Sequence, residues 1–235
     1  MEHGSGDGLH RVRRCGRPRA TAAHRGERLA PAGTSRARTL VTAATSPANQ
    51  GGVRCFLALL PDAESLRALQ RCREALEATS GGGARGVRWI DAHALHLTLR
   101  FFAAANPAQL GQLKPALPPL ACALPAIGAR RCAIWPNRVR PRLLTLELDA
   151  PPALLALARA CEMLAHQAGF APEPRSYRAH VTLARLRPGC PLATPPLPPT
   201  RLSFDTLALL ASEPSAAGSR YRPLAHTPWP ATARV

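Results

Sequence analysis

Histidine and threonine separated by one residue, each followed by leucine, occur twice: His96-Leu97-Thr98-Leu99 and His180-Val181-Thr182-Leu183. One such tetrapeptide is weak evidence. From residue frequencies like these, two copies arise by chance only about once in 400 chains, so the pair reads as an internal duplication. On an extended strand the imidazole and hydroxyl of each copy lie on one face and the apolar residues on the other. Two such strands facing a common cleft would present a symmetric four-group site. Imidazole titrates near neutrality, so one ring can take a proton from water while the other, already protonated, gives one to a departing oxygen. Threonine hydroxyls can donate to phosphoryl oxygens, and guanidinium groups can neutralise the charge that grows on them. That chemistry needs no metal, and it suits a phosphodiester whose neighbouring oxygen leaves, above all a strained cyclic one.

The surrounding segments supply elements able to hold the two motifs. Val53–Leu60 is short, apolar and closed by Pro61-Asp62, which predicts a buried strand. Asp62 caps a helix with Leu66, Leu69, Cys72 and Leu76 along one stripe, stopped by Thr79-Ser80-Gly81-Gly82-Gly83. A second strand is expected at Val87–Ile90 and a turn at Asp91-Ala92-His93-Ala94. In Leu95–Phe102 strict alternation sets His96, Thr98 and Arg100 together on the polar face. Asn106-Pro107 opens a helix that Pro115 bends or ends. Strands are predicted at Ile127–Trp135 and Arg142–Asp149, a helix from Pro152 to Ala168 with Gly169 as its stop, a loop over Pro188–Pro199, and late strands at Leu202–Leu210 and Arg220–Leu224. The same alternation sends Arg185 away from His180 and Thr182. A bulge or the strand's end must turn it back, or it is structural.

Composition narrows the partners. The chain has 235 residues and a formal charge of +17, from 31 basic against 14 acidic residues, and Lys114 is its only lysine. Nearly all the positive charge is therefore guanidinium, which favours phosphate-bearing ligands. The chain lacks an apolar run near eighteen residues, which argues against a transmembrane helix. Seven scattered cysteines without a C-x-x-C pair read as reduced thiols of a cytoplasmic protein. His93, three before His96, does not make a metal site, because a turn followed by a strand lacks helical spacing. Residues 1–52 carry nine arginines, three acids and no apolar periodicity, so they are expected to form a disordered basic tail or an over-extended start, with the folded domain over 53–235.

The paired motifs, the second running on into Ala184-Arg185, resemble the two signatures of the 2H phosphoesterase superfamily, and within it the RNA 2′,3′-cyclic phosphodiesterases, also called 2′-5′ RNA ligases. Val53–Leu59, Val87-Arg88-Trp89-Ile90, Ser176–His180 and Tyr221-Arg222-Pro223-Leu224 extend the likeness over roughly Val53 to Leu224. The resemblance implies an α+β, bilobal, duplicated domain: two antiparallel sheets flanked by helices, with the active site between lobes. It implies hydrolysis of an RNA 2′,3′-cyclic phosphate end to a 2′-phosphomonoester, with reverse ligation as an associated activity. His96 is then the proton donor and His180 the acceptor, Thr98, Thr182 and Arg185 bind the phosphate, and neither cofactor nor metal takes part. Phe56, Trp135 and Tyr177 are candidates to stack on the terminal base, and Arg138, Arg140 and Arg142 to touch the RNA backbone. The expected partner is RNA ending in a cyclic phosphate, with no membrane and a monomeric enzyme. Two alternatives stand beside this: a basic RNA-binding module without catalysis, and a phosphodiesterase acting on 2′-5′ linkages or small cyclic nucleotides.

Overall fold

A computed structural model of the chain describes residues 51–79, 85–190, 194, 198–215 and 218–229. The contacts divide the chain into Met1–Thr45 and Ser46–Val235. Everything below concerns the second unit. The basic tail, the Gly81-Gly82-Gly83 stop and the middle of the proline-rich loop lie outside the described residues.

The strands are β1 (Val53–Pro61), β2 (Val87–Trp89), β3 (Leu97–Ala105), β4 (Ile127–Trp135), β5 (Leu143–Leu148), β6 (His180–Leu186), β7 (Arg201–Leu202), β8 (Phe204–Ser215) and β9 (Gly218–Pro228). The helices are α1 (Ala63–Thr79), α2 (Pro107–Leu113), α3 (Leu117–Leu120) and α4 (Pro152–Gln167). The fold is α+β. Its strands run in the order β7-β4-β5-β6-β3-β1-β8-β9, with β2 paired to β6. The two antiparallel sheets anticipated from the sequence are thus the halves of one ladder. They meet where the two motif strands touch, through the single pair Leu97↔Val181.

Local signals placed most of these elements. The Asp62 carboxylate accepts from the Ser65 amide at 2.7 Å, and α1 buries Leu69 and Leu76 against the sheet. Asn106 and Gln109 cap α2 reciprocally, and Pro115 ends it by turning the chain into a short 3-10 segment, Lys114–Ala116. α4 buries Leu154, Leu157, Ala158, Cys161, Leu164 and Ala165 and stops at Gly169, whose φ of 79° is left-handed. The late strands are longer than expected. β9 runs through Pro223, which local preference would put outside a strand, because it is an edge strand and Pro223 sits at a register shift where the missing N–H costs no ladder bond.

Two bulges redirect the motif strands. Along β1–β3, Leu57 pairs with Arg100 and Ala58 with Thr98, leaving Leu99 as the extra residue. Along β5–β6, Leu144 pairs with Ala184 and Thr145 with Thr182, leaving Leu183 extra. The two motifs therefore carry the same bulge at equivalent positions. Leu99 and Arg100 both turn to the core side and Phe101 joins Thr98 on the other. Leu183 and Ala184 are both buried, and Arg185 joins Thr182.

The shared polar face expected for His96, Thr98 and Arg100 is accordingly corrected. Arg100 is 9% exposed and reaches under α4, with its Nε 2.6 Å from Glu162, its Nη1 3.7 Å from Glu173 and its Nη2 donating to the Ala171 carbonyl at 2.6 Å. It ties the first motif strand to the segment that leads into the second. Glu162→Ala is expected to cost about 2–3 kcal/mol, because it removes the nearer carboxylate from a buried guanidinium that keeps only Glu173 and backbone carbonyls. Arg100→Met is expected to cost less, since Glu162 and Glu173 are 35% and 27% exposed and water can reach them. Denaturant midpoints at constant slope would measure both, and the reverse order would refute this account of the pair.

Candidate active site

The register that sets Leu97 opposite Val181 brings His96 toward Thr182 and Thr98 toward His180 on the opposite face of the sheet from the main core. The four groups of the two motifs so form a square about the seam between the half-sheets. His96, Thr98, Thr182 and Arg185 line an open cleft of about 580 Å³, which Arg54, Phe56, Phe101 and Tyr221 also border. His180 stands at the seam beside this cleft, close enough that its charge acts on His96.

Each imidazole is held the same way. His96 Nδ1 lies 2.7 Å from the Ala94 carbonyl, and His180 Nδ1 lies 2.8 Å from the Arg178 carbonyl, in both cases two residues upstream. A carbonyl only accepts, so both Nδ1 atoms carry the proton and both Nε2 atoms remain for chemistry. Aromatic rings fix the planes. Phe56 stacks on His96 at 4.7 Å and 30°, with the Tyr221 edge against the same imidazole at 5.1 Å. Trp135 lies 4.4 Å from His180, with the Arg178 guanidinium 4.0 Å over the indole.

Burial dominates the electrostatics. Desolvation pushes the His96 pKa down to about 4, helped by the charges of His180 and Arg185 and opposed by the Ala94 carbonyl. Desolvation also lowers His180, with Arg178 acting the same way, while the Arg178 carbonyl and the Glu147 carboxylate oppose it. Both shifts favour the neutral imidazole at neutral pH.

Among the residues singled out from sequence, His96, Thr98, Thr182 and Arg185 converge on the cleft and His180 joins them at the seam. Phe56 is 3% exposed, and its ring backs His96 instead of standing open. Trp135 serves His180 in the same manner. Tyr177 is not a stacking platform: it packs against the main core, its hydroxyl is buried without a hydrogen-bond partner, and burial raises its pKa. Arg138, Arg140 and Arg142 are exposed on or beside the β4–β5 turn, and Arg138 donates to Thr194.

Sequence reasoning overlooked Arg54, Phe101, Tyr221 and Glu147. Alternation along β1 from Phe56 would have found Arg54. Phe101 was hidden by the Leu99 bulge. Glu147 pairs with His180 across β5–β6 and accepts from Arg131 at 2.8 Å, Trp135 Nε1 at 2.9 Å and Arg178 at 2.6 Å. Burial raises the Glu147 pKa, but the hydrogen bonds from Arg131 and Trp135 and the charges of Arg131 and Arg178 outweigh it, so the carboxyl sits below its usual range and stays ionised. It holds the Trp135 ring against His180. Removing its charge by Glu147→Gln is expected to move the His180 titration midpoint further down, read from the imidazole C–H resonances. An unmoved midpoint would take Glu147 out of this role.

The family described as LigT like Phosphoesterase matches residues 59–145, a span that contains the first motif. Over that span the chain is similar to the LigT-like phosphoesterases. A Bacillus subtilis protein named RNA 2′,3′-cyclic phosphodiesterase is 31% identical to this chain over 100 residues, which are 42% of the chain and 55% of the relative. The chain thus spans about half the length of the curated relative it matches. The Thermus thermophilus protein TT0787 shares the fold with a TM-score of 0.60 at 24% identity, covering 74% of this chain and 97% of that one. Escherichia coli LigT complexed with 3′-AMP superposes with a TM-score of 0.57 at 24% identity, over 76% and 98% of the two chains. These two likenesses speak for the fold. Among the described residues, no helix is long and apolar enough to cross a membrane.

Proposed function

We propose that the cleft hydrolyses 2′,3′-cyclic phosphodiester ends of RNA to 2′-phosphomonoesters by acid/base catalysis between two imidazoles. The observation that carries this reading is the matched pair of rings, each with Nδ1 committed to a backbone carbonyl and Nε2 free, each next to a threonine on the same face of the seam. His180 Nε2 takes a proton from water as the oxygen attacks phosphorus. His96, protonated at Nε2, gives its proton to the departing O3′. The P–O3′ bond breaks and the phosphoryl group stays on O2′. Thr98 and Thr182 hydroxyls donate to the non-bridging oxygens, and Arg185 offsets their charge. Turnover leaves the proton on His180 instead of His96, and exchange with solvent resets the pair. With a 5′-hydroxyl end in place of water, the same groups would take the proton from O5′ as it bonds to the cyclic phosphorus and give one to O3′ as P–O3′ breaks, leaving a 2′–5′ phosphodiester, so ligation is proposed as a secondary activity of this site. The chain is proposed to work as a cytoplasmic monomer.

Protonation follows the substrate. The reactive pair holds one proton, yet the empty cleft disfavours it, so the phosphodiester anion raises the pKa of the ring it meets. kcat/KM reports the free enzyme. Both rings titrate below the ordinary value of 6.5, so the singly protonated pair thins out tenfold per unit as pH rises above about 6.5. log kcat/KM is expected to fall with a slope of −1 between about pH 7 and 9, while kcat holds to higher pH. A kcat/KM flat to pH 8 would contradict the scheme.

The direct test is incubation with an oligoribonucleotide ending in a 2′,3′-cyclic phosphate in the presence of EDTA, followed by end-group analysis. A 2′-phosphate end is the expected product. A 3′-phosphate end, or turnover that EDTA abolishes, would overturn the mechanism.

A further inference from the structure

Arg185 belongs to two surfaces. On one side it lines the cleft. On the other it opens onto a second depression of about 770 Å³ bordered by Arg88 and Arg187, with a smaller one of about 310 Å³ between them where Arg88, Asp91, Arg185 and Tyr221 meet. The β2–β6 register sets Arg88 directly opposite Arg185. Arg187 follows two residues on, its amide donating to the Gly86 carbonyl at 2.8 Å, and so returns to the same face. Three exposed guanidinium groups thus share one face of one strand pair. Like charges directly opposite across a ladder are unfavourable. Asp91 is the only carboxylate among the described residues lining the cleft and these two depressions. The floor opposite Arg187 is Gly86, with a left-handed φ of 93°, where a Cβ would approach the Arg187 side chain to 3.3 Å. The arrangement makes an exposed, cationic trough that begins at the Arg185 end of the cleft.

We propose that Arg88 and Arg187 bind the phosphoryl group on O5′ of the nucleoside whose cyclic phosphate occupies the cleft, with Arg185 between the two phosphates. The inference rests on the function proposed above and adds a substrate class: ends that carry a 5′-phosphoryl group, as every terminal nucleotide of an RNA strand does, over free nucleoside 2′,3′-cyclic phosphates. Two residues of strand separate Arg185 from Arg187, about 6.6 Å, which is on the scale of one nucleotide step. Guanidinium forks suit phosphate oxygens, and each contact adds salt dependence.

The test compares wild type with the double variant Arg88→Gln, Arg187→Gln on three substrates: a nucleoside 2′,3′-cyclic phosphate, its 5′-phosphorylated form, and a short oligoribonucleotide with a cyclic end. The variant is expected to lose about tenfold in kcat/KM on the second and third, through KM, with a flatter salt dependence, and to match wild type on the first. Equal loss on all three, no loss on any, or loss on the oligonucleotide alone would each overturn the assignment. If wild type turns over none of the three, the hydrolytic reading fails, and the trough is judged by equilibrium binding of a 5′-phosphorylated oligoribonucleotide at low salt. There the double variant must bind about tenfold more weakly, and equal affinity would reject the trough as well.

Discussion

Replacing either His96 or His180 by glutamine is expected to lower kcat/KM on a cyclic-phosphate end by about 10²–10⁴-fold, because each ring performs a proton transfer that the other cannot perform in the same step. Glutamine keeps a polar group of similar reach, so affinity for a 2′-phosphorylated product should change little. The two losses should not add. Once either ring is gone the concerted transfer is gone, and the double variant should be only slightly slower than the worse single one. Single-turnover rates alongside product binding would read both quantities. Activity that survives one replacement would remove that ring from the scheme, and retained binding without wild-type turnover would favour the RNA-binding module. The His96 variant carries a second signature. A ring held near pKa 4 in the fold and near 6.5 when unfolded takes up a proton on unfolding between those values. Wild-type stability should therefore decline as pH falls from about 6.5 to 4, by up to roughly 3 kcal/mol from this ring. His96→Gln should flatten that decline.

Arg185→Gln is expected to reduce kcat by about 10²–10³-fold, the scale on which a single preorganised charge or donor at a developing oxyanion acts. The Leu183 bulge turns this side chain into the cleft, beside Thr182. Arg185→Lys should recover only part of the loss, since an ammonium group lacks the planar fork that spans two phosphoryl oxygens. Loss of the Arg185 charge also relieves His96, whose pKa it helps depress, so the His96 titration should move upward in Arg185→Gln even as the rate falls. A rate loss without that movement would place Arg185 away from the ring, and a rate within a factor of about three of wild type would leave Arg185 with no role on the oxyanion.

Local sequence carried much of this protein. The apolar run of β1, the Asp62 and Asn106 caps, the proline that ends α2 and the glycine that ends α4 are each fixed by neighbours a few residues away, and they read directly. The duplicated His-x-Thr-Leu picked out the four polar side chains that meet at the seam for the same reason: period-two alternation needs no knowledge of distant strands. Alternation failed where a strand's partner intervened. The extra residues Leu99 and Leu183 are defined only by what stands opposite them on β1 and β5, so the sequence alone sent Arg100 toward the cleft and Arg185 away from it, and the paired strands reversed both. Tyr177, taken for a base platform by type, packs against the main core with its hydroxyl buried, a placement that distant segments decide. Glu147 and the trough past Arg185 had no local signal, since their meaning lies in which strands become neighbours. The residues and their chemistry were set by the chain's own short-range pattern; which of them share one cleft was decided by strand register, a property that exists only between segments.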